Sequence, residues 1–303
     1  MMRNLASHKK KSSALSIYDF DKLFLEYLLE NCNAAGEQVL SAIEYHFRSV
    51  GSLKRAHLCF KIAKNLEIND RDSLLIAAAI ESLHNASLIH DDIQDESVTR
   101  RNKPTLWLKL DQNQAMCVGD ALISASFALI AQIESSKVHI LIQKLNHRVL
   151  QSIKGQTADI QNKSIGSIEN YMQIAFEKSV PLFLLSAELP CLYKNNFDHK
   201  FALKALKNFA ISYQLFDDIQ DQIVDKRKGD LNIVNLLSDN LCKQNKYTEQ
   251  ENTQFSIRKV HTEIEHLLFV SQFYLSFVDK ILSIPILELI DYLKKDIKHK
   301  LYE

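Results

Sequence analysis

Two short acidic segments have the residue types and spacing to bind metal ions. Residues 91–95 and 217–221 both read Asp-Asp-Ile-Gln-Asp, and the chain shows no other repeat. In an α-helix, residues four positions apart share a face, so the first and last aspartate of each segment would point the same way. Carboxylates beside apolar residues repel one another unless a cation lies between them. The repeat therefore predicts a multi-metal site that holds a multiply charged anion.

The ligand types indicate which metal and which anion. Oxygen ligands favour a hard cation, and Mg²⁺ is usually held by one or two carboxylates together with phosphate oxygens of the substrate. Arg100 and Arg101 follow the first segment closely enough to reach phosphate oxygens bidentately. No GxxxxGK[ST] or GxGxxG phosphate loop is present. This combination indicates an apolar molecule that carries a diphosphate group.

The elements that must position these residues are helices. The 303 residues include only 6 Gly and 4 Pro, too few for the turns of a sheet protein. Apolar periodicity predicts one all-helical domain without a linker. The predicted helices span 17–32, 35–49, 53–66, 71–97, 111–134, 136–161, 167–186, 198–224 and 254–300, with breaks near Pro190 and Pro285 and a polar loop or lid over 226–253.

The predicted helix at 71–97 is the most informative of these. It is apolar all round over its first half, which is typical of a helix surrounded by other helices. A polar stripe then follows at spacings of three or four residues, formed by His84, Ser87, Asp91 and Asp95. Buried polar side chains need partners or a cavity. We therefore expect this stripe to face a binding cavity.

Composition narrows the possible partners and location. Zero net charge gives no general basis for binding nucleic acid or an anionic membrane. The five Cys are far apart and form no CxxC pair, so we expect neither a zinc site nor disulfides. Free thiols of this kind are typical of a protein in the reducing cytoplasm, which is the location we expect. We expect no membrane-spanning run and no stable membrane insertion. Residues 1–16 are polar, contain Lys9-Lys10-Lys11, and are predicted to be a flexible basic tail.

An ordered set of motifs resembles the trans-isoprenyl diphosphate synthases, also called polyprenyl synthetases. The first comprises residues 81–95 with the Arg pair and Pro104-Thr105, and resembles the family's first aspartate-rich motif. The second aspartate-rich motif is matched by 213–221, with its preceding Gln. Between them, the signatures at 119–122, at Gly155-Gln156 with Asp159, and at Lys178-Ser179 occur in the family's order.

The resemblance implies a fold and a reaction. The fold would be a single-domain, all-α prenyl-synthase (class I terpenoid synthase) bundle around a central cavity, spanning 17–303 and usually forming a homodimer. The reaction would be head-to-tail condensation of isopentenyl diphosphate with an allylic diphosphate primer of five to fifteen carbons, with three Mg²⁺ ions per site.

The resemblance also implies residue roles. The metal ligands would be Asp91, Asp92, Asp95, Asp217 and Asp221. The substrate-binding residues would be Lys54, Arg55, His57, His84, Arg100, Arg101, Lys178, Ser179, Gln214 and Asp218. Of all these, catalysis would depend most directly on Asp91, Asp95, Asp217, Lys178 and Gln214.

Three departures from the family pattern leave alternatives open. The family's Gly-Gly-Lys-Arg-x-Arg motif ends here in His57, and neutral imidazole is a weaker phosphate ligand than guanidinium. The segment after the second motif is short, so either Lys226 or Lys228 could supply its cation. Asp217 to Asp225 is two substitutions from the metal pattern of class I terpene cyclases. A cyclase acting on one allylic diphosphate is therefore an alternative, as is a non-catalytic subunit of a heteromeric synthase.

Product length is predicted from three residues. Ala86 and Ser87 precede the first motif where bulky aromatics in the family stop growth at fifteen carbons. Small side chains there predict geranylgeranyl diphosphate or a longer all-trans product. The alternative is that a bulky residue elsewhere, such as Phe127, closes the cavity.

Overall fold

The segments that lack glycine and proline form long α-helices. A computed structural model describes residues 17–48, 51–161, 167–195, 199–243 and 248–302. The predicted tail at 1–16 lies outside these residues, as does 244–247 of the predicted lid. The helices are α1 (Ile17–Cys32), α2 (Glu37–Phe47), α3 (Lys54–Asn65), α4 (Asp70–Gln94), α5 (Leu106–Lys109), α6 (Gln112–Ala131), α7 (Val138–Gln161), α8 (Ile168–Tyr193), α9 (Lys200–Lys228), α10 (Ile233–Cys242), α11 (Glu249–Leu275) and α12 (Lys280–Tyr302).

The succession of helices confirms the all-α prediction, and helix α4 is the centre of the bundle. Its residues are buried without interruption from Asp72 to Leu83, and α1, α3, α6 and α8 pack around it. Asn69 caps the start of the helix, and its side chain accepts a hydrogen bond from the backbone N–H of Asp72 at 2.8 Å. Because apolar contacts hold its first half on every side, its C-terminal half is held rigidly beside the cavity.

Two apolar clusters form the core. One joins α1, α2, α4, α6 and α7, the other joins α9 to α12, and α3 contributes to both. Helix α8 contributes to both, through Leu182 and Leu185 on one side and Phe183 and Leu184 on the other. A cavity lies between the clusters and is lined from both.

The predicted break near Pro190 is wrong. Helix α8 continues through Pro181 and Pro190 to Tyr193. All residues from Val180 to Cys191 are buried. Tertiary packing of this apolar segment therefore maintains the helix despite the hydrogen bonds that proline cannot donate.

The polar stretch at 226–253 is not a continuous loop. Helix α10 lies within it and buries Ile233, Val234 and Leu237. Asn232 caps the start of this helix, since its Oδ1 accepts from the N–H of Val234 at 2.9 Å. The predicted last helix is instead two, α11 and α12, separated at residues 276–279 rather than near Pro285.

A two-stranded hairpin follows α4. Strand β1 (Thr99–Arg100) pairs antiparallel with β2 (Lys103–Pro104). The two residues at the turn, Arg101 and Asn102, have φ of +52° and +61°. Positive φ at both central positions is typical of a type I′ turn, whose twist matches that of the two strands in a tight hairpin. The hairpin positions the Arg pair beside the first acidic motif.

Among the described residues, one helix is long and apolar enough to cross a membrane by length and composition, although no membrane-spanning run is expected from the sequence. This is α6, and it packs against α4, α1 and α7. The core helix of a globular bundle passes the same test, and 44% of the apolar window of α6 is buried within this chain.

Candidate active site

The cavity has a volume of about 530 Å³ and lies beside the C-terminal half of α4. It brings together twelve of the residues expected from the sequence: Lys54, Arg55, His84, Ala86, Ser87, Asp91, Arg100, Arg101, Lys178, Ser179, Gln214 and Asp217. Six others do not line it: His57, Asp92, Asp95, Phe127, Asp218 and Asp221.

Asp91 faces a partly buried ammonium group in the cavity wall. Burial raises the pKa of the Asp91 carboxyl, Lys178 lowers it, and Asp95 raises it again. The Nζ of Lys178 donates to Oδ2 of Asp159 at 2.7 Å. Burial lowers the pKa of Lys178, but the carboxylates of Asp91 and Asp159 outweigh that effect, and the pKa is raised. Lys178 is therefore a fixed positive charge beside the first motif.

Asp92 points away from the cavity. Consecutive helical residues point about 100° apart, so Asp92 cannot share the direction of Asp91. Its carboxylate accepts from Nε of Arg100 at 2.8 and 2.9 Å and from Nη2 at 2.7 Å. This bidentate pair connects the end of α4 to the hairpin and fixes the guanidinium of Arg100 at the cavity edge.

Asp217 is the carboxylate of the second motif that lines the cavity. Burial raises its pKa to about 7, with further increases from Asp221 and Asp218 and opposing effects from Lys54 and Arg55. Asp221 lies one turn further along α9 and is exposed. The carboxylates of Asp217 and Asp221 therefore repel each other, and a cation bound between them would offset that repulsion.

Asp218 lies in a buried polar cluster behind the cavity wall. It accepts hydrogen bonds from the Tyr171 hydroxyl at 2.6 Å, the Ile233 backbone N–H at 2.8 Å and Nε2 of Gln214 at 3.0 Å. Burial raises the pKa of Asp218 to about 6, and the hydrogen bond from Tyr171 lowers it. Asp218 therefore connects α8, α9 and α10 and orients the amide of Gln214.

The Gln214 side chain is held from two sides. Its Oε1 accepts from the hydroxyl of Ser179 at 2.8 Å, and its Nε2 donates to Asp218. Both Gln214 and Ser179 line the cavity between the two acidic motifs. A second amide pair crosses the cavity edge, where Nε2 of Gln156 donates to Oε1 of Gln94 at 2.8 Å.

Lys54 is held against two tyrosines. Its Nζ donates to the hydroxyl of Tyr213 at 3.1 Å and lies 4.3 Å from the centre of that ring. The ring of Tyr292, on α12, lies 4.6 Å away. Burial lowers the pKa of Lys54, and the charge of Asp217 raises it. The ammonium therefore occupies a defined position near the second motif.

Arg55 and His84 form a second basic pair. Nη1 of Arg55 lies 3.0 Å from Nε2 of His84, and its guanidinium stacks 3.9 Å above the ring of Phe183. Burial and the charge of Arg55 hold the pKa of His84 well below its usual range. The imidazole is therefore neutral, and its Nε2 accepts from Arg55.

Buried Glu81 lies beside these cations. Its Oε1 accepts from Nδ2 of Asn85 at 2.9 Å, while its Oε2 has no hydrogen-bond partner. Burial raises the pKa of Glu81, and Arg55 and Arg101 lower it. Gly51 packs directly against the guanidinium of Arg101, since a Cβ there would lie 2.3 Å from its Nη2 and would make that side chain shift.

His57 is not part of this basic group. Its Nε2 lies 2.6 Å from Oδ1 of Asp21 on α1, and its ring meets Phe20 edge-on. Neither His57 nor its partner lines the cavity. The His at this position therefore ties α3 to α1.

The apolar wall begins where the polar groups end. Leu83 and Ala86 from α4, Ile123 from α6 and Val149 from α7 line the cavity together with Ser87. Phe127 does not line it and packs instead on the core cluster around α4. Ile123, one turn before Phe127 on α6, occupies the position at the wall.

Three contributors were not assigned roles from the sequence. Glu81 lies ten residues before Asp91, and its place in an apolar helix was a usable signal. Ile123 lies four residues before Phe127 on the same face of α6. The prediction that Phe127 closes the cavity therefore identified the right face of the helix, but a residue one helical turn too late. Tyr292 had no local signal, because its contact with Lys54 joins residues far apart in the chain.

The donor set fits Mg²⁺ that binds together with substrate. Within the ranges described, no three His, Cys, Asp or Glu side chains form a preassembled metal site. Mg²⁺ needs only one or two protein carboxylates when phosphate oxygens complete its shell. Asp91 and Asp217 both line the cavity, and the pKa of each is raised by burial and by a neighbouring carboxylate. Cations would offset both effects.

Comparison with known proteins shows the family to which the chain belongs. The model of the polyprenyl synthetase family matches residues 37–242. The short chain isoprenyl diphosphate synthase of Methanocaldococcus jannaschii is 27% identical over 217 residues, which are 69% of this chain and 66% of that protein. The heptaprenyl diphosphate synthase component 2 of Bacillus subtilis is 28% identical over 70% of this chain and 62% of its own length. The matched region thus spans slightly less than two thirds of these relatives.

Solved structures extend the similarity to nearly the whole fold. The geranylgeranyl pyrophosphate synthetase of Geoglobus acetivorans has a TM-score of 0.72 at 21% identity, covering 91% of this chain and 98% of that one. The heptaprenyl diphosphate synthase of Staphylococcus aureus has a TM-score of 0.71 at 21% identity, covering 93% and 98%. The prenyl-synthase fold expected from the sequence is confirmed. This chain belongs to the polyprenyl synthetase family.

Proposed function

We propose that this protein is a trans-prenyltransferase that condenses isopentenyl diphosphate head-to-tail with an allylic diphosphate. The observation that carries the proposal is one cavity that joins three surfaces. Carboxylates of both acidic motifs, Asp91 and Asp217, line it, cations lie on either side, and an apolar wall continues inward. A substrate with a diphosphate head and a hydrocarbon tail matches that arrangement.

The acidic motifs would hold Mg²⁺, with three ions per site as the family resemblance implies. Asp91 and Asp95 would supply the first motif's oxygens, and Asp217 and Asp221 those of the second. When bound, the ions would neutralise diphosphate charge. Asp92 would act through Arg100, whose guanidinium it orients.

The allylic diphosphate would lie beside Lys178. This ammonium remains charged at any physiological pH because Asp91 and Asp159 raise its pKa. Arg100 lies at the same edge. When the allylic C–O bond ionises, negative charge develops on the leaving diphosphate, and these fixed cations would stabilise it.

Isopentenyl diphosphate would bind at the opposite cluster of Lys54, Arg55 and Arg101. His84 would orient Arg55 rather than add charge, since its imidazole is neutral. His57 stays a predicted ligand, although its pairing with Asp21 favours a site that does not use it.

Between the two diphosphate positions lie the groups that would protect the carbocation. The Gln214 amide, oriented by Ser179 and Asp218, would flank the reacting carbons. The apolar wall would exclude water that could quench the cation. After the alkene of isopentenyl diphosphate attacks the cation, the released diphosphate would accept the final proton.

We propose a product of twenty carbons or more. Ala86 and Ser87 are small and line the cavity, which supports growth past fifteen carbons. Because Phe127 does not line the cavity, Ile123 and Val149 are now the candidate residues that limit the length of the product. We expect the protein to be a cytoplasmic homodimer that does not bind nucleic acid. Its similarity to a heptaprenyl diphosphate synthase component 2 makes a heteromeric assembly the alternative, which analytical ultracentrifugation would test.

The deciding experiment supplies Mg²⁺, radiolabelled isopentenyl diphosphate and allylic primers of five, ten or fifteen carbons, followed by product sizing. We expect label in products of twenty carbons or more. If no primer yields a labelled longer chain, the prenyltransferase proposal fails. A hydrocarbon formed from one allylic diphosphate alone would identify a cyclase instead.

Two variants test the assigned carboxylates. Asp91→Ala or Asp217→Ala should reduce turnover at least ~100-fold, because each removes a group that would hold charge at the ionising bond. Asp239→Asn, at an exposed position on α10, is the matched control and should retain activity. Wild-type turnover in either cavity variant would remove that variant's motif from the mechanism.

A further inference from the structure

Four exposed phenylalanines lie together at one end of the bundle, where α9 begins and α11 ends. Phe269, Phe273 and Phe277 expose 68%, 56% and 57% of their surface, and Phe201 exposes 36%. We call these four residues the Phe patch. Buried apolar side chains are the rule in a bundle with a complete core, so a group of exposed aromatics marks a surface that binds something.

The Phe patch is continuous. The rings of Phe273 and Phe277 are 5.2 Å apart, and Phe277 lies 5.7 Å from Phe201. Phe201 also stacks on Tyr274 at 5.9 Å. Phe269 is one turn before Phe273 on the same face of α11. The aromatic contacts hold the rings as one apolar surface.

A stripe of lysines borders this surface. Lys200, Lys204 and Lys207 lie at helical spacings of four and three residues along α9, and all three are exposed. The ammonium of Lys204 lies 5.3 Å from the ring of Phe201 and 5.2 Å from that of Tyr274. The zero net charge of the whole chain thus conceals a local excess of positive charge.

The nearby acidic groups are already engaged. Asp279 accepts from the backbone N–H of Ile281 at 2.8 Å at the start of α12. Glu265 lies 4.0 Å from the imidazole of His261. Among the described residues, neither carboxylate forms an ion pair with the lysine stripe.

The position of the Phe patch separates it from the proposed active site. Phe201 precedes Asp217 by sixteen residues on α9, which corresponds to about 24 Å along a helix. The Phe patch therefore lies at the end of the bundle away from the acidic motifs. A large partner could contact it without covering the cavity residues around Asp91 and Asp217.

We propose that the Phe patch and its lysine stripe dock this protein on the surface of an anionic lipid bilayer. Aromatic side chains bounded by lysines suit the boundary between acyl chains and anionic headgroups. The four phenylalanines expose about 400 Å² in total, taking about 200 Å² for a whole side chain. A stable second copy would need about 800 Å² from each partner, so this surface alone is too small for one.

Vesicle flotation of the full-length protein tests the proposal. The vesicles are phosphatidylcholine alone, or phosphatidylcholine with about one third phosphatidylglycerol. We expect flotation with the anionic vesicles and little with the neutral ones, decreasing as salt is raised. The variant Phe269→Ser/Phe273→Ser should bind the anionic vesicles at least ~10-fold more weakly, because it removes inserted apolar surface. Lys204→Glu should weaken binding several-fold.

Phe255→Ser is the matched control. Phe255 is also on α11 and is 55% exposed, but lies more than three turns from the Phe patch. Its variant should float like the wild type. If the double variant does not fold, as judged by circular dichroism, Phe269→Ser and Lys204→Glu decide the question.

Three results would overturn the proposal. One is the absence of flotation with either vesicle type, and another is binding that the Phe269 and Lys204 substitutions leave unchanged. The third is self-association of the wild type that Phe269→Ser abolishes in sedimentation velocity, which would assign the surface to a second copy. These readouts need no substrate, so they are independent of the prenyltransferase assay.

Discussion

Replacing Asp217 with asparagine should stabilise the ligand-free protein. Burial and the neighbouring carboxylates of Asp221 and Asp218 raise the pKa of Asp217 from 3.8 to about 7. Ionising this group in the folded chain therefore costs free energy that the unfolded chain does not incur. Asparagine has a similar shape and cannot ionise, so the variant avoids that cost.

The magnitude follows from proton linkage. Below about pH 4 the carboxyl is protonated in both states, so it contributes nothing. Between about pH 4 and 7 only the unfolded state loses the proton, and the cost grows by about 1.4 kcal/mol per pH unit. Above pH 7 it reaches a plateau of about 4 kcal/mol, which we halve to about 2 kcal/mol because the side chain is partly exposed to the cavity.

Urea unfolding at pH 8 and near pH 4.5, followed by circular dichroism, measures this difference. At pH 8, Asp217→Asn should raise the free energy of unfolding by about 2 kcal/mol, and near pH 4.5 by less than about 1 kcal/mol. Asp239→Asn controls for the loss of an exposed charge and should have little effect at either pH. Saturating Mg²⁺ with inorganic pyrophosphate should reverse the order at pH 8, since ligands that bind the native state stabilise it.

Two results would refute the reasoning. If Asp217→Asn is less stable than the wild type at pH 8 without ligands, Asp217 is not a repulsive buried charge. If its effect is the same at both pH values, the difference arises from packing rather than ionisation.

Three further substitutions have defined outcomes. Tyr292→Leu removes one ring from the ammonium of Lys54 and should raise the KM for isopentenyl diphosphate about fivefold with little change in kcat, measured by steady-state kinetics; an unchanged KM would contradict that role. Ile123→Phe narrows the cavity wall and should shorten the product in the labelled-product assay, whereas unchanged lengths would exclude it as a limit. Gly155→Ala puts a Cβ 2.4 Å from the backbone carbonyl carbon of Glu177 and should destabilise the fold by about 2 kcal/mol or more in urea unfolding; wild-type stability would show that α7 and α8 can separate freely.

Local sequence determined the helices and the direction of the first motif. The spacing of His84, Ser87 and Asp91 was sufficient to predict one polar stripe, because helix periodicity is a property of a few consecutive residues. The same periodicity predicted α4 within three residues at each end. Gly and Pro scarcity predicted an all-helical chain for the same local reason.

Burial, which depends on distant residues, decided the elements that were predicted wrongly. Pro190 looked like a break, but the apolar neighbours around α8 hold the helix through it. The segment around Asn232 looked like a polar loop, yet Asn232 donates to the backbone carbonyl of Asp218 at 2.8 Å and begins α10 there. In both cases the contacts that decide the structure come from residues outside the local segment.

The sequence by itself determined which residues could do chemistry, and the tertiary structure decided which of them share a cavity. Asp217 and Asp218 are adjacent and chemically identical, but one lines the cavity while the other binds Tyr171 behind it. His57 follows two cavity cations but meets Asp21 on α1. Residue type and helical spacing are local properties, whereas the group that a side chain meets depends on how helices far apart in the chain pack together.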